Sequence, residues 1–345
     1  MRQTFTALLG LCAVAVASPV LAADIKIEIG ISGAATDVGF FIADKKGYFR
    51  QEGLAVNMTN FDTAAKMVAP LGVGQLDIGG GGPSAGLYNA IARGVDIKIV
   101  ADKGSTPAGH GFQPLMIRKD HIDSGRFKSL ADLKGMKVAI SAPGSGSSTT
   151  LNEAVKRGGI PLKDVEQVYL AFPQQVLALQ NKAIDASFTT EPNATEAEKR
   201  GAAVRFMGDD IIYPNHQVAV ILYSGMFLKK NPDAGKRFMR AYVRALRDYN
   251  DALKDGRLAG PNAEEVIAIL TEYTNIKDPA VYRQITAHGC NPDGFVNIPT
   301  LATDLDFFKA TGDIEGKVTI DQVVDNSFVE AAVKDLGPYK PRAAK

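Results

Sequence analysis

The chain has 345 residues, 39 basic against 38 acidic side chains, a formal net charge of +1, no tryptophan and two cysteines. That balance excludes a nucleic-acid binder, which would carry a basic stripe. Once the first residues are set aside, about 320 remain, enough for two domains of ordinary size.

Residues 1–23 read as a secretory signal peptide. Arg2 supplies the positive start, "ALLGLCAVAVA" the apolar centre, and Ser18-Pro19 break it before a cut near Ala22 or Ala23. The run is too short for a membrane span of ~20 apolar residues. Cys12 leaves with this segment, so the mature chain keeps one thiol, Cys290, and no intrachain disulfide is expected. Cys290 is expected to be a partly buried small residue. The short basic tail "YKPRAAK" is expected to be disordered.

From Ile25 the pattern alternates. Strands are expected at 25–31, 54–59, 76–79 and 96–101, with helices at 37–47, 62–73 and 83–93 between them. The order then restarts. Strands at 136–141, 165–170 and 183–188 alternate with helices at 147–157, 173–181 and from Pro192. "GQLDIG" in the first unit corresponds to "KAIDAS" in the second, which puts Asp77 and Asp185 in equivalent places 108 residues apart. Alternation of this kind implies an α/β fold with mostly parallel sheets covered on both faces. From Gln217 onward "QVAVILYS" reads as one strand and the remainder as helices. In 234–253, Phe238, Tyr242, Ala245 and Tyr249 fall at helical spacing. Helices without a sheet of their own are expected to fold back over the first unit. The expected organisation is one lobe from 24–112 and 217–345 and a second from 113–216.

"SAPGSGSSTTLNEA" (141–154) joins a strand to a helix through small, hydroxylated residues. It lacks the lysine of a phosphate loop, the third glycine of a dinucleotide site, and the G-x-S-x-G order of a nucleophile elbow. What remains is a helix N-terminus rich in N–H and hydroxyl donors, suited to an anion or polar ligand.

"KKGYFRQEGL", "GQLDIG" and "SLADLKGMKVAISAPGS", taken together, resemble substrate-binding proteins of ABC importers over roughly residues 25–250. The pattern is similar to the proteins for sulfonates, taurine and nitrate and to the group related to thiamine-pyrimidine synthases. The resemblance implies a two-lobed type II periplasmic binding fold, a ligand in the cleft between lobes, periplasmic location, and docking of the closed form on an inner-membrane permease. The protein is expected to be a monomer without cofactor.

Ligands of open α/β sheets bind beyond the carboxyl ends of the strands. Four loops qualify: 32–38, 80–85, 142–149 and 189–193, each leading into a helix N-terminus. The ligand-binding candidates are Ala35, Thr36, Phe40, Ser84, Ser145, Ser147, Ser148, Thr149, Glu191 and Asn193, with His216 from the return crossover. Each has a plainer alternative: the hydroxyls as helix caps, Glu191 as a dipole-facing carboxylate, Phe40 or Phe41 as core. For His110, in the other crossover, and for His216 the alternatives are ligand contact, proton sensing and, more commonly, an ordinary hydrogen bond. His121 and His288 have no metal-ligand spacing, so no metal is expected. No Arg or Lys stands in the four loops, although Lys103 or Arg118 can reach in. A small organic sulfonate or carboxylate therefore ranks first, a pyrimidine-like heterocycle second and an inorganic oxyanion third. The competing readings are a ligand-binding subunit for a sensor and a thiamine-pyrimidine-synthase-like enzyme. The latter branch carries a cysteine cluster and no export signal.

Overall fold

The structure is a computed structural model that describes residues 24–342; the expected signal peptide lies outside the described residues. Two five-stranded mixed sheets, each flanked by helices, share one plan. The first contains β1 (Ile25–Ile31), β2 (Leu54–Asn60), β3 (Ile78–Gly81), β4 (Ile97–Ser105) and β10 (Gln217–Ser224) in the order β2-β1-β3-β10-β4. The second contains β5 (Leu115–Arg118), β6 (Lys137–Ile140), β7 (Glu166–Tyr169), β8 (Ala186–Phe188) and β9 (Ala203–Met207) in the order β7-β6-β8-β5-β9.

In each sheet a single strand runs against the rest. β10 pairs antiparallel with β3 and β4, and β5 pairs antiparallel with β8 and β9. Each is the first strand laid down after the chain crosses between lobes. Every residue of β10 is buried, as a central strand covered on both faces must be, and its run "VAVIL" is correspondingly continuous in apolar character. Within these two sheets, β5 and β9 are the strands absent from the sequence reading. Both pair antiparallel, outside the alternating pattern that the reading followed.

The correspondence of Asp77 and Asp185 extends to single hydrogen bonds. Asp77 accepts the Glu28 amide at 2.9 Å and returns its own N–H to the Glu28 carbonyl at 2.9 Å. Asp185 does the same with Lys137 at 2.9 and 2.9 Å. Each aspartate thus ties the residue before β3 or β8 to the neighbouring strand, at the middle of β1 in one case and at the first residue of β6 in the other.

The helix Pro232–Asp251 buries Phe238, Tyr242, Ala245 and Tyr249, the stripe its spacing predicts. Phe238 stacks on Phe49 at 4.8 Å, and Tyr242 tilts against Phe40 at 5.5 Å. Burial of each such ring contributes roughly 2 kcal/mol. Gly39 permits the contact, because a Cβ there would meet the Tyr242 ring at 2.7 Å. The C-terminal tail is pinned as far as Arg342, against expectation. The Tyr339 hydroxyl donates to Asp251 at 2.8 Å, and the Arg342 guanidinium to Asp248 at 2.8 Å. Two acidic groups on the long helix hold the basic segment. Cys290 is free and buried.

The two crossovers run side by side. The Thr106 amide donates to the His216 carbonyl at 3.1 Å, and the Asn215 amide to the Thr106 carbonyl at 2.8 Å.

Candidate ligand cleft

A cavity opens where the carboxyl ends of the strands of both sheets meet. Its polar lining is chiefly hydroxyl: Thr36 and Ser84 from one side, Ser141, Ser145, Ser147 and Thr190 from the other. Phe112 and Phe172 supply aromatic surface. Lys103 and Gln113 complete the buried polar set. Asp62, also on the lining, is exposed and paired with Lys66.

Lys103 leaves the C-terminal half of β4. The glycine-rich β3 lets it lie flat against the sheet, since a Cβ on Gly80 would come within 2.4 Å of Phe40 and 2.8 Å of the Lys103 stem. Its ammonium donates to the Thr36 hydroxyl at 2.7 Å and faces the Asp37 carboxylate at 2.8 Å, with both charged side chains fully buried. Asp37 also accepts the amide of Ala34 at 3.0 Å and that of Ser32 at 3.2 Å. The cation at the cleft wall therefore brings its own counter-charge. Arg118 does not reach the cleft: it pairs with Asp120 at 2.6 Å and Asp185 at 3.1 Å.

The loop before the helix Gly146–Arg157 does three things at once. Gly144 adopts φ +54°, a conformation that suits glycine. Its carbonyl accepts the Ala85 amide across the cleft at 2.7 Å, and Ser84 and Ser145 form an isolated antiparallel bridge. The lobes thus meet backbone to backbone beside the cavity. Gly146 and Ser147 line it; the Ser84–Ser145 bridge turns the Gly146 N–H toward the Pro83 carbonyl, and the Ser147 N–H finds no acceptor among the described residues. Free N–H groups at a helix start suit an anionic or other acceptor group.

The candidates divide. Thr36, Ser84, Ser145 and Ser147 line the cavity. Ser84 also caps its helix by accepting the Leu87 amide at 3.2 Å, and Ser147 accepts the Ser141 amide at 3.1 Å. Ser148 and Thr149 are buried and lie off the lining. Ser148 accepts the Ser145 amide at 3.2 Å, and Thr149 donates to the Gly146 carbonyl at 2.8 Å. Phe40 lies in the aromatic core of the first lobe. Ala35 donates its amide to the Glu191 carbonyl at 3.3 Å. Asn193 starts its helix half-buried, away from the cavity.

Glu191 is fully buried, and its carboxylate is committed to the protein. It accepts the Thr195 amide at 2.9 Å, the Thr195 hydroxyl at 3.0 Å and the Thr286 amide at 3.1 Å, and it pairs with Arg205. Thr286 belongs to the segment after β10, so this carboxylate joins the two lobes rather than facing the cavity. His216 is likewise buried between lobes. Its Nε2 is 2.8 Å from Asp304 and 3.4 Å from the Thr149 hydroxyl, and its Nδ1 is 3.4 Å from Thr150. His110 bonds the Ala287 carbonyl at 2.9 Å. His121 lies 2.7 Å from Asp185. Burial drives the His288 imidazole well below its ordinary pKa.

Gln113, Thr190 and Phe172 were missed as individual residues. Thr190 belongs to one of the four loops. Gln113 sits in the first crossover, where the histidine drew attention and the amide did not.

Comparison with known proteins agrees with this architecture. Residues 35–253 match the family described as NMT1/THI5 like. A Bacillus subtilis protein provisionally named an aliphatic sulfonates-binding protein is 24% identical over 317 residues, covering 90% of this chain and 89% of its own. The alkanesulfonate-binding protein SsuA of Xanthomonas axonopodis pv. citri, solved bound to MOPS, has 19% identity and a TM-score of 0.70, covering 88% of this chain and 99% of its own. The periplasmic nitrate-binding protein NrtA of Synechocystis has 15% identity and a TM-score of 0.74, covering 91% and 89%. These likenesses are to two-lobed periplasmic binding folds, and the family match spans more than half of the sequence. This chain is a member of the NMT1/THI5-like family.

Proposed function

We propose that the protein is an exported periplasmic solute-binding protein that captures a small polar organic ligand between its lobes and delivers it to an ABC permease. The observation that carries this is the cavity itself. Buried hydroxyls from both lobes and the free N–H group of Ser147 converge on one space. Those donors favour a ligand with an acceptor group, a sulfonate or carboxylate first, in keeping with the sulfonate-binding relative. The proposed lobes are 24–112 with 217–345, and 113–216, hinged at the paired crossovers and acting as a monomer.

A binding role fits the side-chain chemistry better than an enzymatic one. Among the described residues, the single arrangement with a hydroxyl, an imidazole and a carboxylate in sequence is Thr149/Thr150, His216 and Asp304. Both hydroxyls bond back to the Gly146 carbonyl, at 2.8 and 3.1 Å, and none of the four residues lines the cavity.

The test is a thermal-shift screen of sulfonates, aromatic carboxylates and pyrimidines on the mature chain, because a ligand that binds the folded state alone raises Tm. A concentration-dependent rise, with compaction in small-angle scattering, is the expected result. Absence of any shift across all three classes would overturn the reading.

A further inference from the structure

Two buried side chains of the lining carry polar heads without a partner among the described residues. Gln113 and Thr190 are each 3% exposed. The Gln113 Oε1 is sealed off and unpaired, whereas its Nε2 stays open to the cavity and makes no hydrogen bond. The Thr190 hydroxyl is likewise open and unbonded. The other buried polar groups of the lining are committed: Lys103 to Thr36 and Asp37, Ser84 to the Leu87 amide, Ser145 to the Ala142 carbonyl, Ser147 to the Ser141 amide.

Strand register makes these two heads neighbours. β5 and β8 pair antiparallel with Leu115 opposite Phe188. The Glu191 amide donates to the Phe112 carbonyl at 2.9 Å, so the same register holds past the start of β5 and the end of β8 and sets Gln113 opposite Thr190. Residues directly opposite in an antiparallel pair have Cβ atoms about 5 Å apart on one face. Both backbones are fixed independently of the heads. The Gln113 amide donates to Asp209 at 3.0 Å, and the Thr190 carbonyl accepts the Asn193 amide at 3.0 Å.

An amide nitrogen can only donate, and a hydroxyl with no acceptor in the protein has its proton to give. Two donors side by side match two oxygens carried on one atom, as in a carboxylate or a sulfonate. A ligand ammonium would meet Nε2 donor to donor. Lys103 offers no rival grip, because its ammonium is turned to Thr36 and Asp37 and its side chain has no exposed surface. Resting on the solute-binding reading, we propose that Gln113 Nε2 and the Thr190 hydroxyl form a two-donor fork that takes the paired oxygens of a carboxylate or sulfonate head. This fork, rather than the buried cation, sets the preference for such a head.

The experiment compares oxyanion probes with ketones of the same shape, in which a methyl group replaces one oxygen. Benzoate and benzenesulfonate are set against acetophenone, and pentanoate and butanesulfonate against 2-hexanone. Titration calorimetry is run on the mature chain, on Gln113→Met and on Thr190→Val, which keep size and remove the donors. The anions should bind the wild type at least tenfold tighter than the ketones. Each variant should lose about tenfold or more for the anions, as for a hydrogen bond to an ionised oxygen, and only a few-fold for the ketones. Thr190→Ser should recover the affinity that Thr190→Val loses. Without ligand, both apolar variants should melt no lower than wild type, since neither head has a protein partner to lose.

Anion affinity that is unchanged in both variants overturns the inference and leaves the solute-binding reading standing, with the head held at Lys103 or at the helix start. Equal losses for anions and ketones also overturn it, because the two side chains would then touch some other part of the ligand. A lower Tm for both ligand-free variants shows that the heads serve the fold and overturns it too. If no anion binds the wild type, the inference fails on its own, while the broader screen described above still decides whether the protein binds solutes.

Discussion

The Lys103 ammonium sits 2.8 Å from the Asp37 carboxylate, with neither side chain exposed. Only Lys103 borders the cleft. Two buried charges are stable together because each offsets the other's lost hydration. Removing one partner strands the other. Asp37→Asn should therefore cost about 3 kcal/mol or more, and Lys103→Met a similar amount. The double variant should recover much of the loss, so that the two effects are strongly non-additive. Urea unfolding of the four proteins measures this. Additive losses would show that the pair is not energetically coupled and that the cleft cation is held by Thr36 alone.

Much of the scaffold was legible because alternation, turn residues and apolar spacing act locally. Asp77 and Asp185 were matched by position alone, and each then makes the same two hydrogen bonds to its neighbouring strand. β5 and β9 were not legible. Their antiparallel pairing depends on a partner far away in sequence, and nothing in "LMIR" or "AVRFM" announces it. The cleft was half legible for the same reason. Loops could be assigned to it from strand direction, but which side chain on a loop faces the cavity is decided by packing. Glu191 was placed at the cleft by the repeat, yet Arg205 and Thr286, from elements not recognised or not adjacent, claim its carboxylate. Gln113 was invisible because an unpaired amide is a property of surroundings rather than of sequence.

Asp209 gives a pH signature. Complete burial pushes its carboxyl up to about 7, partly opposed by the Gln113 amide and the facing His216. Its Oδ2 has no hydrogen-bond partner. A carboxyl whose folded pKa is above its unfolded value, 3.8, binds protons more tightly when folded. The stability it contributes is complete below pH ~4 and is lost as pH rises toward ~7. Asp209→Asn stays neutral, and its Oδ1 can still accept the Gln113 amide. The variant should gain on wild type as pH rises from 4 to 8, by on the order of 3 kcal/mol across the window. Denaturant unfolding of both proteins at several pH values tests this through the change in the gap. A gap that does not vary with pH would mean that Asp209 titrates normally.

The loop Gly144–Thr149 separates contact with the ligand from support of the fold. Gly144 combines φ +54° with a cross-cleft approach in which a Cβ would stand 2.5 Å from that of Ala85. Gly144→Ala should both strain the turn, by about 1 kcal/mol or more, and hold the lobes apart, weakening binding of whichever probe the screen identifies by roughly tenfold. A Cβ on Gly146 meets nothing closer than 3.5 Å, so Gly146→Ala should bind nearly as wild type. Among the hydroxyls, Ser148 and Thr149 bond the loop backbone and lie off the lining. Their alanine variants should lose about 1 kcal/mol of stability and keep their affinity. Ser145 and Ser147 line the cavity, and their alanine variants should lose affinity by a similar free energy. Calorimetry paired with melting curves distinguishes the two behaviours. If Ser148→Ala weakens binding while Ser147→Ala leaves it untouched, the ligand approaches this helix from the other side and the cleft assignment fails.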